Sequence, residues 1–178
     1  LYLVGTPIGN LNDISIRAIN ILRNVSLIAC EDTRNTKKLL SYLKISNKLI
    51  SFHKFNSIKQ SQFIIRELEK GCSIALVSDA GMPLISDPGD VLVKEIREKG
   101  FDVICIPGAC ALITALVASG MPSSSFVFSG FLPKKKKNRE QVLLEITEQE
   151  KTTVLFESPH RLKKLLKELK DYCGGERE

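Results

Sequence analysis

The residues able to do chemistry stand where apolar runs end. Residues 74–77 read I-A-L-V, and S-D-A-G-M-P-L-I-S-D-P-G follows at 78–89. Two Asp, two Gly and two Pro in twelve residues exceed what a plain turn requires. The loop offers backbone N–H and C=O groups and the carboxylates of Asp79 and Asp87, but no Lys or Arg. It is a poor phosphate cradle, since phosphate is best held by cationic donors. It suits a neutral or cationic ligand, a sulfonium included; the bland alternative is two capped turns. Glu31-Asp32-Thr33-Arg34 closes another apolar run. An acid there can hold ribose hydroxyls, and Arg34 can hold a phosphate. Read as packing, the same residues are a solvated helix start capped by Asp32 or Thr33.

Two further stretches are small and flexible. Gly5-Thr6-Pro7-Ile8-Gly9-Asn10 follows the first apolar run. It matches neither the phosphate-binding lysine loop nor G-x-G-x-x-G. Its glycines would let backbone approach a ligand closely, or merely turn a strand into a helix. Pro107-Gly108-Ala109-Cys110-Ala111 opens a stretch of small residues, fit for a flat group such as adenine or for close helix–sheet packing. A helix N-terminus would acidify Cys110, but no His stands near it in sequence to act as base.

Alternating apolar and amphipathic segments must position these loops. Strands are expected at 1–4, 25–30, 49–52, 73–77, 103–106, 126–129 and 153–156. Helices are expected at 13–23, 36–43, 57–70, 91–99, 109–119, 138–149 and 159–172. Strand–helix alternation implies right-handed crossovers and a mostly parallel, doubly wound sheet. Ligands in such sheets sit beyond the strands' C-terminal ends, where all four loops lie. Gly120-Met121-Pro122-Ser123-Ser124-Ser125 reads as a linker. The fold class is α/β, with a first domain over 1–120 and a second, partial one over 121–178. The Gly174-Gly175 turn implies a second domain truncated at its C-terminus, and the missing initiator Met implies a residue or more absent at the front.

Composition narrows the classes. With 26 basic against 20 acidic residues the net charge is +6, which favours a polyanionic partner. The charge clusters at Lys134–Lys137 with Arg139, and at His160-Arg161-Leu162-Lys163-Lys164. Each is either a solvated charge run or a contact to nucleic-acid phosphates. Five cysteines without C-x-x-C spacing, and only His53 and His160, argue against a disulfide framework and a metal centre. Cys30, Cys72 and Cys105 read as small buried hydrophobes. No apolar run is long enough for a membrane span, and no signal peptide is evident. The simple expectation is a cytoplasmic protein.

Taken together, G-T-P-I-G-N-L-x-D-I-x-x-R-A, E-D-T-R, S-D-A-G-M-P-x-I-S-D-P-G, P-G-A-x-A-L, G-F-L-P-x-K and E-S-P-H-R-L resemble one family. It is the ribosomal RNA small-subunit methyltransferases I, among the tetrapyrrole methylase-like, class III methyltransferases. The resemblance runs from residue 1 to about 172. It implies methyl transfer from S-adenosyl-L-methionine to the ribose 2′-oxygen of a cytidine in small-subunit (16S) ribosomal RNA. It also implies two α/β domains with the cofactor between them, and a homodimer. By this resemblance the cofactor contacts are Pro7, Asp79, Ala80, Gly81, Met82, Ala109, Cys110, Ala111, Phe156 and Glu157. Two positions depart from the family pattern: Cys110 replaces an expected Ser or similar small residue, and Phe55 an expected His.

A ribose hydroxyl is a weak nucleophile, so a proton acceptor or an alkoxide-stabilising cation is needed. Asp32 and Arg34 are the catalytic candidates, Asp32 for the hydroxyl and Arg34 for a flanking phosphate. His160 and Arg161 come second. Lys134, Lys135, Lys136, Lys137, Arg139 and Arg161 are the expected RNA contacts. The rivals are a tetrapyrrole methylase on the same fold, a Rossmann-type methyltransferase or nucleotide enzyme, and an RNA-binding module without catalysis.

Overall fold

The computed structural model describes residues 1–177. They form two compact units, Leu1–Ala111 and a second from Leu112 onward. In the first, β1 (Tyr2–Val4), β2 (Leu27–Cys30), β3 (Leu49–Ser51), β4 (Ile74–Val77) and β5 (Ile104–Ile106) form one sheet. Its order is β3-β2-β4-β1-β5, and every pairing is parallel. All residues of β2 and β4 are buried, as expected of strands covered on both faces. Successive strand residues point to opposite faces, and the two cores obey that rule. Leu27, Ala29, Ile74 and Leu76 join Ile64 and Leu68 of α3 (Ser57–Glu69) and Leu92 and Ile96 of α4 (Asp90–Glu98). Ile28, Cys30, Ala75 and Val77 join Ala18 and Leu22 of α1 (Ile16–Asn24) and Leu40 of α2 (Thr33–Tyr42). The unit is doubly wound, as the alternation implies.

The second unit contains α5 (Ala111–Ser119), β6 (Phe126–Phe131), α6 (Lys136–Thr147), β7 (Thr152–Phe156) and α7 (Pro159–Cys173). β6 and β7 pair in parallel, with a register irregularity between Phe128 and Gly130. Leu132, Leu143, Ile146 and Leu165 form its small core.

Each expected element exists, but several begin elsewhere. α1 starts at Ile16 rather than 13 because the chain caps twice. Asn10 accepts the Asn12 N–H over a single 3-10 turn at Leu11–Asp13, and Ser15 then accepts the Ala18 N–H at 3.1 Å. α2 starts three residues early, at Thr33, because Asp32 caps it. α6 begins at Lys136, so two of the four lysines expected in a loop are helical. The expected boundary after residue 120 places α5 with the first domain, whereas the division at 111/112 places it with the second unit. Cys30 is buried as expected and Cys72 half-buried, but Cys105 is exposed on edge strand β5. Among the described residues no helix is long and apolar enough to cross a membrane.

Ile28 is fully buried in the α1/α2 core. Ile28→Ala should therefore cost about 2–5 kcal/mol, measured as a fall in the urea midpoint by far-UV circular dichroism with an unchanged m-value.

Candidate active site

The strand order sets β1 between β4 and β5, so the loops leaving these three strands emerge side by side. Backbone bonds then lock two of them together. The Thr6 N–H donates to the Gly81 carbonyl at 2.9 Å, and the Gly81 N–H returns a bond to Thr6 at 3.0 Å. The buried Thr6 hydroxyl reaches the carbonyls of Ser78 and Gly81, and the Ser78 hydroxyl reaches those of Ala80 and Gly81. Gly81 has φ +85°, and a Cβ there would sit 3.3 Å from the Ile8 side chain. The third loop packs as tightly. A Cβ on Gly108 would lie 2.9 Å from the Gly5 Cα, and one on Gly5 would meet Gly108 Cα at 2.8 Å and the Met82 sulfur at 2.7 Å. Only glycine permits that backbone approach.

Pro7, Asp79, Ala80, Gly81, Met82, Ala109 and Cys110 thus belong to three mutually packed loops, and Ala111 opens α5 directly after the third. None of these loops carries a basic side chain. A cation would meet backbone carbonyls and the carboxylates of Asp79 and Asp87 there; a phosphate would find no charged donor. The residues fit a sulfonium-bearing ligand with a flat base. The sequence pointed to glycine and acid; it did not show Thr6 and Ser78, whose hydroxyls tie the loops. Their signal is only that each directly follows a strand or the glycine that ends it.

The E-D-T-R stretch joins the same site by a route invisible in sequence. The Asp32 N–H donates to Asp79 Oδ1 at 3.1 Å, and the Asn35 amide donates to Asp79 Oδ2 at 2.9 Å. Asp79 therefore clamps the β4 loop onto the start of α2. Asp32 itself accepts the Arg34 backbone N–H at 2.8 Å and pairs with the Arg34 guanidinium at 2.6 Å. Arg34 holds the Asp32 carboxyl down to about 2, through its side-chain hydrogen bonds first and its backbone N–H second. So acidic a carboxylate is a weak proton acceptor; it can orient a hydroxyl, but it makes a poor general base. Glu31 and Asp87 move the other way. Burial raises both, Glu31 further through the nearby Asp87 and Asp79 charges, and Asp87 against a hydrogen bond from Ser78.

The remaining expected residues lie in the second unit. Phe156 packs edge-on against Phe128 and Phe131, with ring centroids 4.9 and 5.6 Å away. The Glu157 side chain is only 3% exposed; it accepts the Ser158 N–H and pairs with Arg161. Arg161 also bonds the Ser158 hydroxyl. His160 is exposed in the first turn of α7. Lys134 to Lys137 are all exposed. Arg139 corrects the expectation of an RNA contact. It is 6% exposed, and its guanidinium binds Glu168 at 2.7 Å and approaches Glu157 at 3.6 Å. As a buried cation between two carboxylates it ties α6 to α7, and it has no free face for a phosphate.

The chain belongs to the tetrapyrrole (corrin/porphyrin) methylases, whose family model matches residues 1–178. Within the curated relatives it is 53% identical over all its 178 residues to the ribosomal RNA small subunit methyltransferase I of Vibrio cholerae, covering 62% of that protein. It is 53% identical over 169 residues to the same-named protein of Halalkalibacterium halodurans, covering 58% of it. The chain thus spans about three-fifths of the length of these relatives. Among solved structures, a cobalt precorrin-4 methyltransferase superposes with TM-score 0.73 at 15% identity, over 98% of this chain and 75% of that one. A uroporphyrin-III C-methyltransferase from Thermus thermophilus, complexed with S-adenosyl homocysteine, superposes with TM-score 0.66 at 19% identity, over 99% and 77%. These two establish the shared fold.

The Asp32–Arg34 pair yields a pH test. A carboxyl lowered from 3.8 to about 2 favours the folded chain above its ordinary value, and that contribution is lost as pH falls through about 2. Carbon-detected NMR titration should find the Asp32 carboxyl still ionised at pH 3, and Arg34→Ala should return it toward 3.8. A normal value in the unmodified chain would remove the pair.

Proposed function

We propose that this chain methylates small-subunit (16S) ribosomal RNA at the ribose 2′-oxygen of a cytidine, with S-adenosyl-L-methionine as donor. The observation that carries this is the constellation of three locked loops, lacking basic side chains and lined by carbonyls and carboxylates. Two things support it. Two relatives 53% identical to this chain over 178 and 169 of its residues are named as small-subunit ribosomal RNA methyltransferases. A protein of the same fold is complexed with S-adenosyl homocysteine.

When bound, S-adenosylmethionine supplies an electrophilic methyl group on a sulfonium. Backbone of Pro7, Asp79–Met82 and Ala109–Ala111 would hold it, and Cys110 can serve through its main chain. In-line displacement then depends on alignment, which supplies much of the acceleration. Asp32 orients the acceptor hydroxyl, and Arg34, 85% exposed while paired with Asp32, offers its outer face to a flanking phosphate. Lys134–Lys137 bind the RNA backbone as exposed point charges. A cytoplasmic homodimer acting on ribosomal RNA or the small ribosomal subunit completes the proposal.

Calorimetric titration of S-adenosylmethionine into the chain should show saturable one-site binding. Asp79→Ala should weaken it about tenfold or more, roughly 1.4 kcal/mol. Asn35→Ala removes one bond to Asp79 but keeps the carboxylate. Equal losses in both variants would mean that Asp79 acts by placing its loop; loss only in Asp79→Ala would mean direct contact. No binding to the unmodified chain would count against the cofactor assignment.

Replacing Lys134–Lys137 with Gln should make log K for RNA fall less steeply with log salt, by about 3 in slope for four lost phosphate contacts. Arg139→Gln should leave that slope unchanged but cost roughly 1–3 kcal/mol of stability. An unchanged slope in the lysine variant would take the run out of the RNA interface.

A further inference from the structure

A cavity opens beside the locked loops, still at the C-terminal ends of the strands. Its volume is about 550 Å³, and its lining includes Glu31, Phe52, Lys54, Ser61, Asp87 and Asp90. That size lies within the ~300–1,000 Å³ usual for small-molecule sites. Two features mark it as built for a ligand. Glu31 and Asp87 face the same space from different loops, half-buried, and a smaller recess at the end of β4 is lined by both. Ser61, only 6% exposed, also lines the cavity, and its hydroxyl has no hydrogen-bond partner among the described residues. That hydroxyl opens into the cavity, where a ligand or water is left to satisfy it.

The lining selects its occupant. Carboxylates accept hydrogen bonds, and a serine hydroxyl can donate one. Cytosine and adenine each present an amine beside an unprotonated ring nitrogen on the pairing edge. Uracil presents the reverse, a carbonyl beside an N–H, and would set oxygen against carboxylate. The apolar floor at Phe52 suits a ring face. The β3–α3 segment at the rim suits an RNA strand rather than a free nucleotide. Lys54 is exposed there, and Phe55, next in the chain, is 94% exposed with its ring edge-on to His53. An exposed aromatic beside lysine is the pairing used to stack and neutralise unpaired nucleotides.

We propose that this cavity takes an unpaired, amine-bearing nucleobase of single-stranded RNA, with Glu31 and Asp87 accepting from the amine, Ser61 donating to the ring nitrogen and Phe55 stacking a neighbouring base. The proposal rests on the RNA methylation reading and deepens it by naming what selects the acceptor base. The test is fluorescence anisotropy of the chain with labelled hexanucleotides of C, A and U at low salt. Oligo(C) and oligo(A) should bind about tenfold tighter than oligo(U), the scale of a hydrogen bond to a charged group. The near-isosteric Glu31→Gln and Asp87→Asn variants should each cut that preference severalfold and leave oligo(U) binding unchanged. Binding of all three within twofold, or a preference that survives both substitutions, overturns the pocket. Cytidine monophosphate competing as strongly as the hexanucleotide overturns the choice of a strand.

Hydrogen–deuterium exchange supplies a readout that needs no variant. Oligo(C), but not oligo(U), should protect residues 31 and 86–90; equal protection refutes the pocket. S-adenosylmethionine titration on the same preparation separates the two proposals. Cofactor binding without base preference removes this pocket alone, whereas base preference without cofactor binding removes the methyl-transfer reading and leaves the pocket.

Discussion

The paired backbone hydrogen bonds between Thr6 and Gly81 are the constraint on which the site depends. They cross from the loop after β1 to the loop after β4, the two strands that lie adjacent at the centre of the sheet. Residues 78–81 are therefore tied by backbone bonds to the neighbouring loop as well as continuous with their own strand. The Gly5–Gly108 contact adds the third loop at backbone distance. A surface loop is ordinarily a mobile element; here three loops become one platform because two glycines let them touch and two buried hydroxyls, of Thr6 and Ser78, satisfy the carbonyls so enclosed.

The platform's charge follows from that enclosure. Its interior has carbonyls to spare and no cationic side chain, so the acids around it must find partners elsewhere. Asp79 finds them in the α2 N-terminus, through the Asp32 N–H and the Asn35 amide. Asp32 finds Arg34. Glu31 and Asp87 find none of comparable strength, and burial raises the pKa of each. Acids on neighbouring loops thus differ in proton affinity according to which has a cation at hand. The strongly ionised member suits orientation, and the two weaker acids suit hydrogen bonding to a donor in a cavity.

Much of this was legible in the sequence, and the failures share a cause. Strand runs such as I-A-L-V and L-I-A-C marked the sheet because a strand buried on both faces must be continuously apolar. The position of S-D-A-G-M-P directly after one of them marked it as a candidate site loop, and the structure locks it to the loop after β1. The Asp32 cap was legible as one of two alternatives, and the structure realises it alongside the ion pair with Arg34. The burial of Arg139 was not legible. It follows four exposed lysines, and its partner Glu168 stands 29 residues later on another helix. Nor was the Asp79–Asn35 bond, which spans 44 residues. Local sequence reports what a residue is next to in the chain, and long-range pairing of charges is set by how helices pack.

The loop of residues 78–89 also carries backbone strain, and its distribution follows the packing. Leu84 and Ser86 have φ of +72° and +67°, a region that costs a side-chain-bearing residue of order 1–3 kcal/mol. Leu84 offsets this by packing against the α3/α4 core; burying a leucine contributes about 1.5–3 kcal/mol when complete, less when partial. Ser86 is exposed and has no such offset. Its turn instead leads into Asp87, which lines the cavity beside Glu31, and into Gly89, where a Cβ would meet Leu76 at 3.1 Å. Both ends of the segment are fixed, by the Thr6–Gly81 bonds and by the start of α4. The remaining strain is the conformational cost of carrying an acid off the platform and into the neighbouring cavity.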